Sequence, residues 1–139
     1  MPTPDFIEVT PDALDPATCA AIVERMRASD ALQPGQVGGG VHPELKKSRD
    51  IGLAGRADWA DVEQALNVAV YAGLLAYLRR WPQALIAPLM LQQPGPDGAL
   101  RRLRAEDIGA MDDRALGRLA MACLRPGAVN LQWYAAGEG

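Results

Sequence analysis

One long run of apolar residues at helical spacing constrains the fold more than any other feature of the sequence. The spacing predicts a single helix over residues 58–81 with one broad apolar face, which we expect to be largely buried. Asp58 is the predicted N-cap, and the helix should end before Pro82, which cannot continue it. The apolar positions are Val62, Ala65, Leu66, Val68, Ala69, Val70, Tyr71, Gly73, Leu74, Leu75, Tyr77, Leu78 and Trp81.

Shorter patterns upstream predict one strand and one further helix. Residues 6–9 alternate weakly and lead into Thr10 and Pro11, as in a short strand that runs into a turn. A helix should begin after Asp15, which can cap it, with Pro16 at its first position, and should run to about Ser29. We expect this helix to bury one stripe, formed by Cys19, Ile22, Val23 and Met26.

Downstream of this helix, turn formers and apolar spacing divide the chain into further elements. Residues 31–45 are rich in glycine and predict a loop, and residues 46–53 predict a strand with a charged beginning. The apolar residues 84–92 contain a proline, so we expect an extended segment there, followed by a surface turn. One helical turn is predicted over 105–109, and a helix over 112–124 should face inward with Leu116, Leu119, Ala120 and Cys123.

The last predicted strand, over residues 129–134, is the most informative pattern for function. Its residues alternate strictly in character, so the side chains on its two faces should differ. One face carries Val129, Leu131 and Trp133, and the other carries Asn130, Gln132 and Tyr134. A strand with an apolar back and a face of two amides and a phenol is suited to line a polar pocket.

Composition argues against several classes of protein. The 14 basic and 17 acidic residues give a formal net charge of -3 and form no long basic run, so we expect no binding to nucleic acid. The longest apolar stretch, residues 68–78, is shorter than the roughly 20 residues that cross a bilayer, so we expect no membrane span. Cys19 and Cys123 lie in helical patterns, which favours buried thiols and a cytoplasmic setting.

The residues that could carry chemistry are few. A mononuclear non-haem iron site needs two imidazoles and a carboxylate, and the chain has one histidine, His42, in the glycine-rich loop. No nucleophile motif or phosphate-binding loop is present. The paired carboxylates at 106–107 and 112–113 flank predicted helix starts, where capping explains them. The sequence therefore predicts no catalytic residue and no metal ligand set.

The final strand resembles a known family. The pattern Asn130-Leu131-Gln132-x-Tyr134-x-x-Gly137-Glu138-Gly139 is similar to the segment of Fe(II)- and 2-oxoglutarate-dependent oxygenases that directly precedes the iron-binding H-x-D or H-x-E pair. The order of the preceding elements resembles the N-terminal half of the prolyl-hydroxylase-like branch. That order includes a capped helix with a cysteine, a glycine-rich loop and a strand beginning Lys47-Ser48-Arg49.

The resemblance implies an α+β fold in which helices buttress one sheet of an incomplete double-stranded β-helix, a jelly-roll-like core. It implies Fe(II) and 2-oxoglutarate as cofactors of the full-length enzyme, which would hydroxylate a peptide or small molecule. Tyr134 matches a position that often hydrogen-bonds 2-oxoglutarate. Gln132 matches a second position of the pocket wall, and Asn130 completes the row.

This chain departs from the family pattern because the iron ligands, and the basic residue that holds the far carboxylate of 2-oxoglutarate, would lie beyond Gly139. We expect residues 1–139 to form a single, incomplete domain that binds neither cofactor alone and is inactive until a C-terminal half or a partner chain completes it. The final strand would then have an unpaired edge. The alternative is a non-catalytic helical module that binds another protein.

Overall fold

The computed structural model describes residues 5–138 and has an α+β fold. Its contacts divide the chain into two compact units. One unit, here called the sheet unit, comprises Leu14–Asn67 and the segment from Gly127 onward. The other, the helical unit, comprises the segment up to Ala13 and Val68–Pro126. No helix within residues 5–138 is both long and apolar enough to cross a membrane.

The sheet unit is built around a small antiparallel sheet in the order β1, β2, β5. Its elements are α1 (Pro16–Ala28), β1 (Gln33–Pro34), β2 (Arg49–Gly52), a short 3-10 helix (Ala57–Trp59), the first turns of α2 (Ala60–Arg80) and β5 (Asn130–Trp133). Asp50 at the centre of β2 lies opposite Gln33 of β1 and Gln132 of β5. Within the described residues β5 pairs with β2 alone and therefore lies at an edge of the sheet.

The core of the sheet unit lies against one face of this sheet. The helices α1 and α2 and the 3-10 helix contribute to it, and Leu53, which follows β2, is completely buried. Val129, Leu131 and Trp133 pack against the core from the β5 side. The buried side chains are Met26, Leu32, Ile51, Leu53, Trp59 and Val62.

The helical unit contains a second core, which α2 shares with three shorter helices and a hairpin. Its elements are the rest of α2, α3 (Gln83–Leu89), β3 (Gln92–Pro94), β4 (Leu100–Arg102), α4 (Ala105–Ala110) and α5 (Asp113–Cys123). The residues that line this core are Leu75, Leu78, Leu85, Leu103, Ile108, Leu116 and Ala120.

Local capping explains where two of the predicted helices begin. The carboxylate of Asp15 accepts a hydrogen bond from the Thr18 backbone N–H at 2.9 Å, and α1 starts at Pro16 as predicted. Asp112 caps α5 in the same way through the Ala115 N–H at 2.6 Å. The cap predicted at Asp58 is wrong, because a 3-10 turn precedes α2 and Asp58 pairs with Arg56 instead.

The extended segment predicted over residues 84–92 is wrong, because most of it forms α3. Pro88 lies near the end of this short helix, where its missing N–H removes one intrahelical hydrogen bond. Burial of Leu85, which has no exposed surface, stabilises the helix despite this proline. Met90, in the left-handed conformation, ends it.

The strand predicted over residues 6–9 is also wrong. This segment is irregular, and the side chains of α2 contact it where a neighbouring strand was expected. Tyr77 donates a hydrogen bond from its hydroxyl to the Phe6 carbonyl at 2.9 Å. Trp81 packs edge-on against the Phe6 ring and donates its indole N–H to Glu8 at 2.7 Å. The Tyr77 side chain on α2 thus satisfies the Phe6 carbonyl, a main-chain group that a neighbouring strand would otherwise pair.

Both long helices are less buried than their sequences predict. On α2, Val68 and Val70 are 62% and 68% exposed, although their spacing fits a broad buried face. On α1, Cys19 and Val23 are exposed, and Met26 is the buried residue of the predicted stripe. Helical periodicity identifies the apolar faces, whereas the extent of burial depends on which elements cover them.

An ion pair ties the β3–β4 hairpin to α4 and should make stability depend on pH. Arg101 donates two hydrogen bonds to Asp107, at 2.6 and 2.7 Å. These bonds, helped by the Arg104 backbone N–H, hold the pKa of Asp107 well below its ordinary value of 3.8. Because the folded-state pKa is lowered, the stabilisation is fully present above pH 3.8 and is lost as the pH falls below it.

We therefore expect the melting temperature of the wild-type chain to fall more steeply below pH 4 than that of Asp107→Asn. Thermal melts over a series of acidic buffers measure this difference. Glu106→Gln changes the exposed carboxylate next to it and serves as the control, which should follow the wild type. Parallel pH profiles for the wild type and Asp107→Asn would show that the ion pair does not contribute.

Candidate functional site

A polar pocket lies on the face of the β1–β2–β5 sheet that points away from the core. Its volume is about 440 Å³, which is large enough for a small organic ligand. All of its lining residues belong to the sheet unit. They are Ala31, Gln33, Pro34, Gln36, Lys46, Asp50, Ile51, Gly52, Arg56, Asn130 and Gln132.

The alternation predicted for the last strand is confirmed. Asn130 and Gln132 line the pocket, whereas the alternate residues of β5 pack against the core. Tyr134 follows the strand and does not belong to the pocket lining, but its hydroxyl lies 3.5 Å from Gln132 Oε1. Two of the three predicted site residues thus lie on the pocket wall, and the third contacts one of them.

Asp50 is the centre of the hydrogen-bond network in this pocket. Its carboxylate accepts hydrogen bonds from Lys46 Nζ at 2.8 Å and from Ser48 Oγ at 2.7 Å. Gln132 Nε2 donates to the same carboxylate from the neighbouring strand, at 3.3 Å. The side chains of Lys46 and Asp50 are each only 15% exposed, so this pair is partly shielded from water.

The surroundings of Asp50 keep it ionised. Burial alone raises the pKa of this carboxyl, but the hydrogen bonds from Lys46 and Ser48 and the charge of Lys46 outweigh burial. The Asn130 side-chain amide nearby lowers the pKa of Asp50 as well. The pKa of Asp50 therefore lies below its ordinary value of 3.8, and the group carries a negative charge at neutral pH.

Gly35 permits this network to form. Its backbone N–H donates to the Ser48 carbonyl at 2.9 Å, which holds the chain of Gly35 against β2. A Cβ at this position would lie 2.9 Å from Lys46 Cε and would overlap Ser48 Oγ. The close approach of backbone to side chains requires glycine here.

Arg56 provides a second cation at the pocket. Its Nη2 pairs with Asp58 at 2.9 Å. Its Nε–H is buried and has no hydrogen-bond partner among the described residues. An unpaired buried donor is costly, and because this nitrogen has no exposed surface, a ligand in the pocket does not reach it in this conformation.

The described residues do not form a metal site. Within residues 5–138, no three His, Cys, Asp or Glu side chains are grouped so that they could hold an ion. His42 lies in a half-exposed loop position with its Nδ1 3.3 Å from a Glu44 carboxylate oxygen. Neither His42 nor Glu44 lines the pocket.

Sequence reasoning missed Asp50, Lys46, Ser48 and Arg56. One signal could have indicated Ser48 and Asp50, because they alternate with the apolar Ile51 and Leu53 through the predicted strand. The contact between Asp50 and Gln132 has no sequence signal, since 82 positions separate the two residues.

No protein-family model, curated protein or solved structure matches this chain. The pattern of the last strand and the chemistry of the pocket therefore carry the functional argument.

Proposed function

We propose that this chain is the N-terminal part of a non-haem Fe(II)- and 2-oxoglutarate-dependent dioxygenase that hydroxylates a peptide or small molecule in the cytoplasm. The observation that carries the proposal is the placement of β5, which joins an apolar core on one side to a polar pocket on the other. This is the arrangement that the resemblance of residues 130–139 implies for the wall of such an active site.

The sheet would be one part of an incomplete double-stranded β-helix. Leu53 donates its N–H to the Val129 carbonyl at 2.9 Å, so the alternating ladder directs the main-chain groups of Val129, Leu131 and Trp133 toward β2. The main-chain groups of Asn130 and Gln132 then face the open edge of the sheet. A further strand, from a C-terminal half or from a partner chain, would pair there.

In this proposal the described residues offer a place for 2-oxoglutarate but not for Fe(II). No group of three His, Cys, Asp or Glu side chains lies together within the described residues, so no step of the reaction is assigned to them. In the proposed enzyme, residues outside this chain would hold Fe(II) and the far carboxylate of 2-oxoglutarate. Tyr134, 38% exposed beside the pocket wall, would hydrogen-bond 2-oxoglutarate from the end of β5, while Gln132 and Asn130 would form the adjacent wall.

We expect the isolated chain to bind no Fe(II) at micromolar metal and to form no succinate from 2-oxoglutarate. The reason is that it supplies one histidine where the site needs two and a carboxylate. Anaerobic calorimetric titration measures the binding, and chromatography of the reaction mixture measures succinate. Succinate formation that depends on iron would contradict the assignment of the iron ligands to residues outside this chain.

Exposed apolar side chains favour a second candidate, a non-catalytic module that binds another protein. Val68 and Val70 on α2, and Ile7 and Val9 near the N-terminus, all have exposed side chains. A module of this kind should stay monomeric as its concentration is raised, whereas an incomplete oxygenase should self-associate through the open edge of β5. Sedimentation of the isolated chain over a series of concentrations separates the two.

A further inference from the structure

The pocket of the sheet unit carries a net positive charge. Its ionisable lining residues are Lys46, Asp50 and Arg56, and these two cations and one anion leave a surplus of one positive charge. Asp58, which pairs with Arg56, does not line the pocket, and its side chain is 61% exposed, so water screens much of its charge. The pocket therefore attracts an anion.

Both cations keep N–H donors that no described residue uses. Lys46 Nζ carries three N–H groups and donates one of them to Asp50, at 2.8 Å. Arg56 donates from Nη2 to Asp58, and its Nη1 forms no hydrogen bond within residues 5–138. Among those residues, Arg56 Nε is the one buried side-chain nitrogen without a partner, so Nη1 is accessible to solvent. A ligand can thus reach an ammonium and the outer edge of a guanidinium.

Gly52 leaves room for a ligand beside these cations. Asp50 and Gly52 are two residues apart on β2, so they lie on the same face of the sheet, and both line the pocket. A Cβ at Gly52 would meet no atom within 4 Å. The remaining wall carries side-chain amides, which offer both donors and acceptors to a polar group without charge. These amides belong to Gln33, Gln36, Asn130 and Gln132.

We propose that the pocket binds a small carboxylic acid, with its carboxylate on Lys46 and Arg56 and its polar, uncharged body against the amides. The single negative charge of a carboxylate equals the surplus charge of the lining. A phosphate group carries more than one negative charge at neutral pH, and the excess would face the Asp50 carboxylate. Identifying this ligand as the substrate of the oxygenase rests on the proposed function, whereas the preference for a carboxylate rests on the pocket alone.

The test compares three probes, which are N-acetylglycine, its neutral amide N-acetylglycinamide, and inorganic phosphate. Each is titrated at constant low ionic strength into the isotope-labelled chain, and NMR follows the side-chain NH₂ resonances of Asn130 and Gln132. We expect N-acetylglycine to shift both resonances saturably, with a dissociation constant at least about tenfold lower than that of either other probe. Equal affinities, a preference for the amide or for phosphate, or no saturable shift would overturn the proposal.

Arg56→Gln tests whether charge causes this preference. The variant removes one cation of the lining, so the affinity for N-acetylglycine should fall about tenfold, while that for the amide should change by less than about twofold. Arg27→Gln is the matched control, since Arg27 also pairs with an exposed carboxylate in the sheet unit but does not line the pocket. An unchanged affinity for N-acetylglycine in Arg56→Gln would overturn the role given to Arg56.

Gly52→Val tests the location of the ligand without a change of charge. Valine suits a strand, and its side chain would fill the space beside Asp50. We expect the affinity for N-acetylglycine to fall by about tenfold or more. Wild-type affinity in this variant would place the carboxylate outside the pocket and contradict the proposal.

The outcomes separate this inference from the proposed function. If N-acetylglycine binds as expected but no H-x-D or H-x-E pair is encoded downstream, the carboxylate site stands and its assignment to an oxygenase substrate falls. If that pair is encoded and the three probes bind alike, the oxygenase stands without this site. A dissociation constant for 2-oxoglutarate more than about tenfold below that of N-acetylglycine would give the two cations to 2-oxoglutarate and overturn the assignment to the substrate.

Discussion

Leu53→Ala should lower the free energy of unfolding by about 2–5 kcal/mol, the range found when a fully buried leucine is truncated and a cavity remains. Leu53 has no exposed surface and lies in the core behind the sheet, together with Ile51 and Trp59. Leu53 also donates its backbone N–H to the Val129 carbonyl. The cavity would therefore form beside the hydrogen bonds that join β2 to β5. Urea denaturation followed by tryptophan fluorescence measures the change.

Leu45→Ala is the matched control for this substitution. The same side chain is removed, but Leu45 is 70% exposed, and the expected change is within about 0.5 kcal/mol. A loss of less than about 1 kcal/mol in Leu53→Ala would contradict the core described for the sheet unit, because no cavity of leucine size would then have formed.

Gly35→Ala should destabilise the chain by about 1–3 kcal/mol, the usual cost of forcing an added methyl group into a packed site. The new methyl group would overlap Ser48 Oγ and lie 3.1 Å from Asp50 Oδ2. To relieve the overlap, Ser48 must release its hydrogen bond to Asp50, so the Gln132 side-chain amide resonance should shift as well. Thermal melting and the NMR spectrum measure the two effects.

Gly52→Ala provides the control on the same pocket. Gly52 of β2 lies opposite Asn130 of β5, and a Cβ at Gly52 would meet no atom within 4 Å. This substitution should leave stability unchanged or raise it by about 0.4–1 kcal/mol, because alanine has less freedom to lose on folding. Equal changes in stability for Gly35→Ala and Gly52→Ala would contradict the close approach of side chains to Gly35.

Elements with a local cause could be predicted from the sequence. The caps at Asp15 and Asp112 and the alternation through Asn130 and Gln132 each depend on neighbouring residues, and the structure places all of them as predicted. The helix α3 could not be predicted, since Pro88 argues locally against it and only the burial of Leu85 explains it.

The candidate site was predictable only in part, for the same reason. The β5 pattern identified one wall of the pocket, whereas the opposite walls come from β1, β2 and the residues around Arg56. Asp50 lies in a segment that reads as the charged beginning of a strand. Its role emerges only when β2 and β5 pair, which brings its carboxylate to the Gln132 amide.

The sequence encoded directly downstream of Gly139 tests the central claim most directly. The proposal predicts an H-x-D or H-x-E pair within about ten residues, and further on a second histidine followed by an arginine or lysine, because the iron site needs ligands that residues 1–139 lack. If neither the sequence downstream of Gly139 nor an adjacent reading frame encodes such a pair, the assignment of this chain to an iron- and 2-oxoglutarate-dependent oxygenase is contradicted.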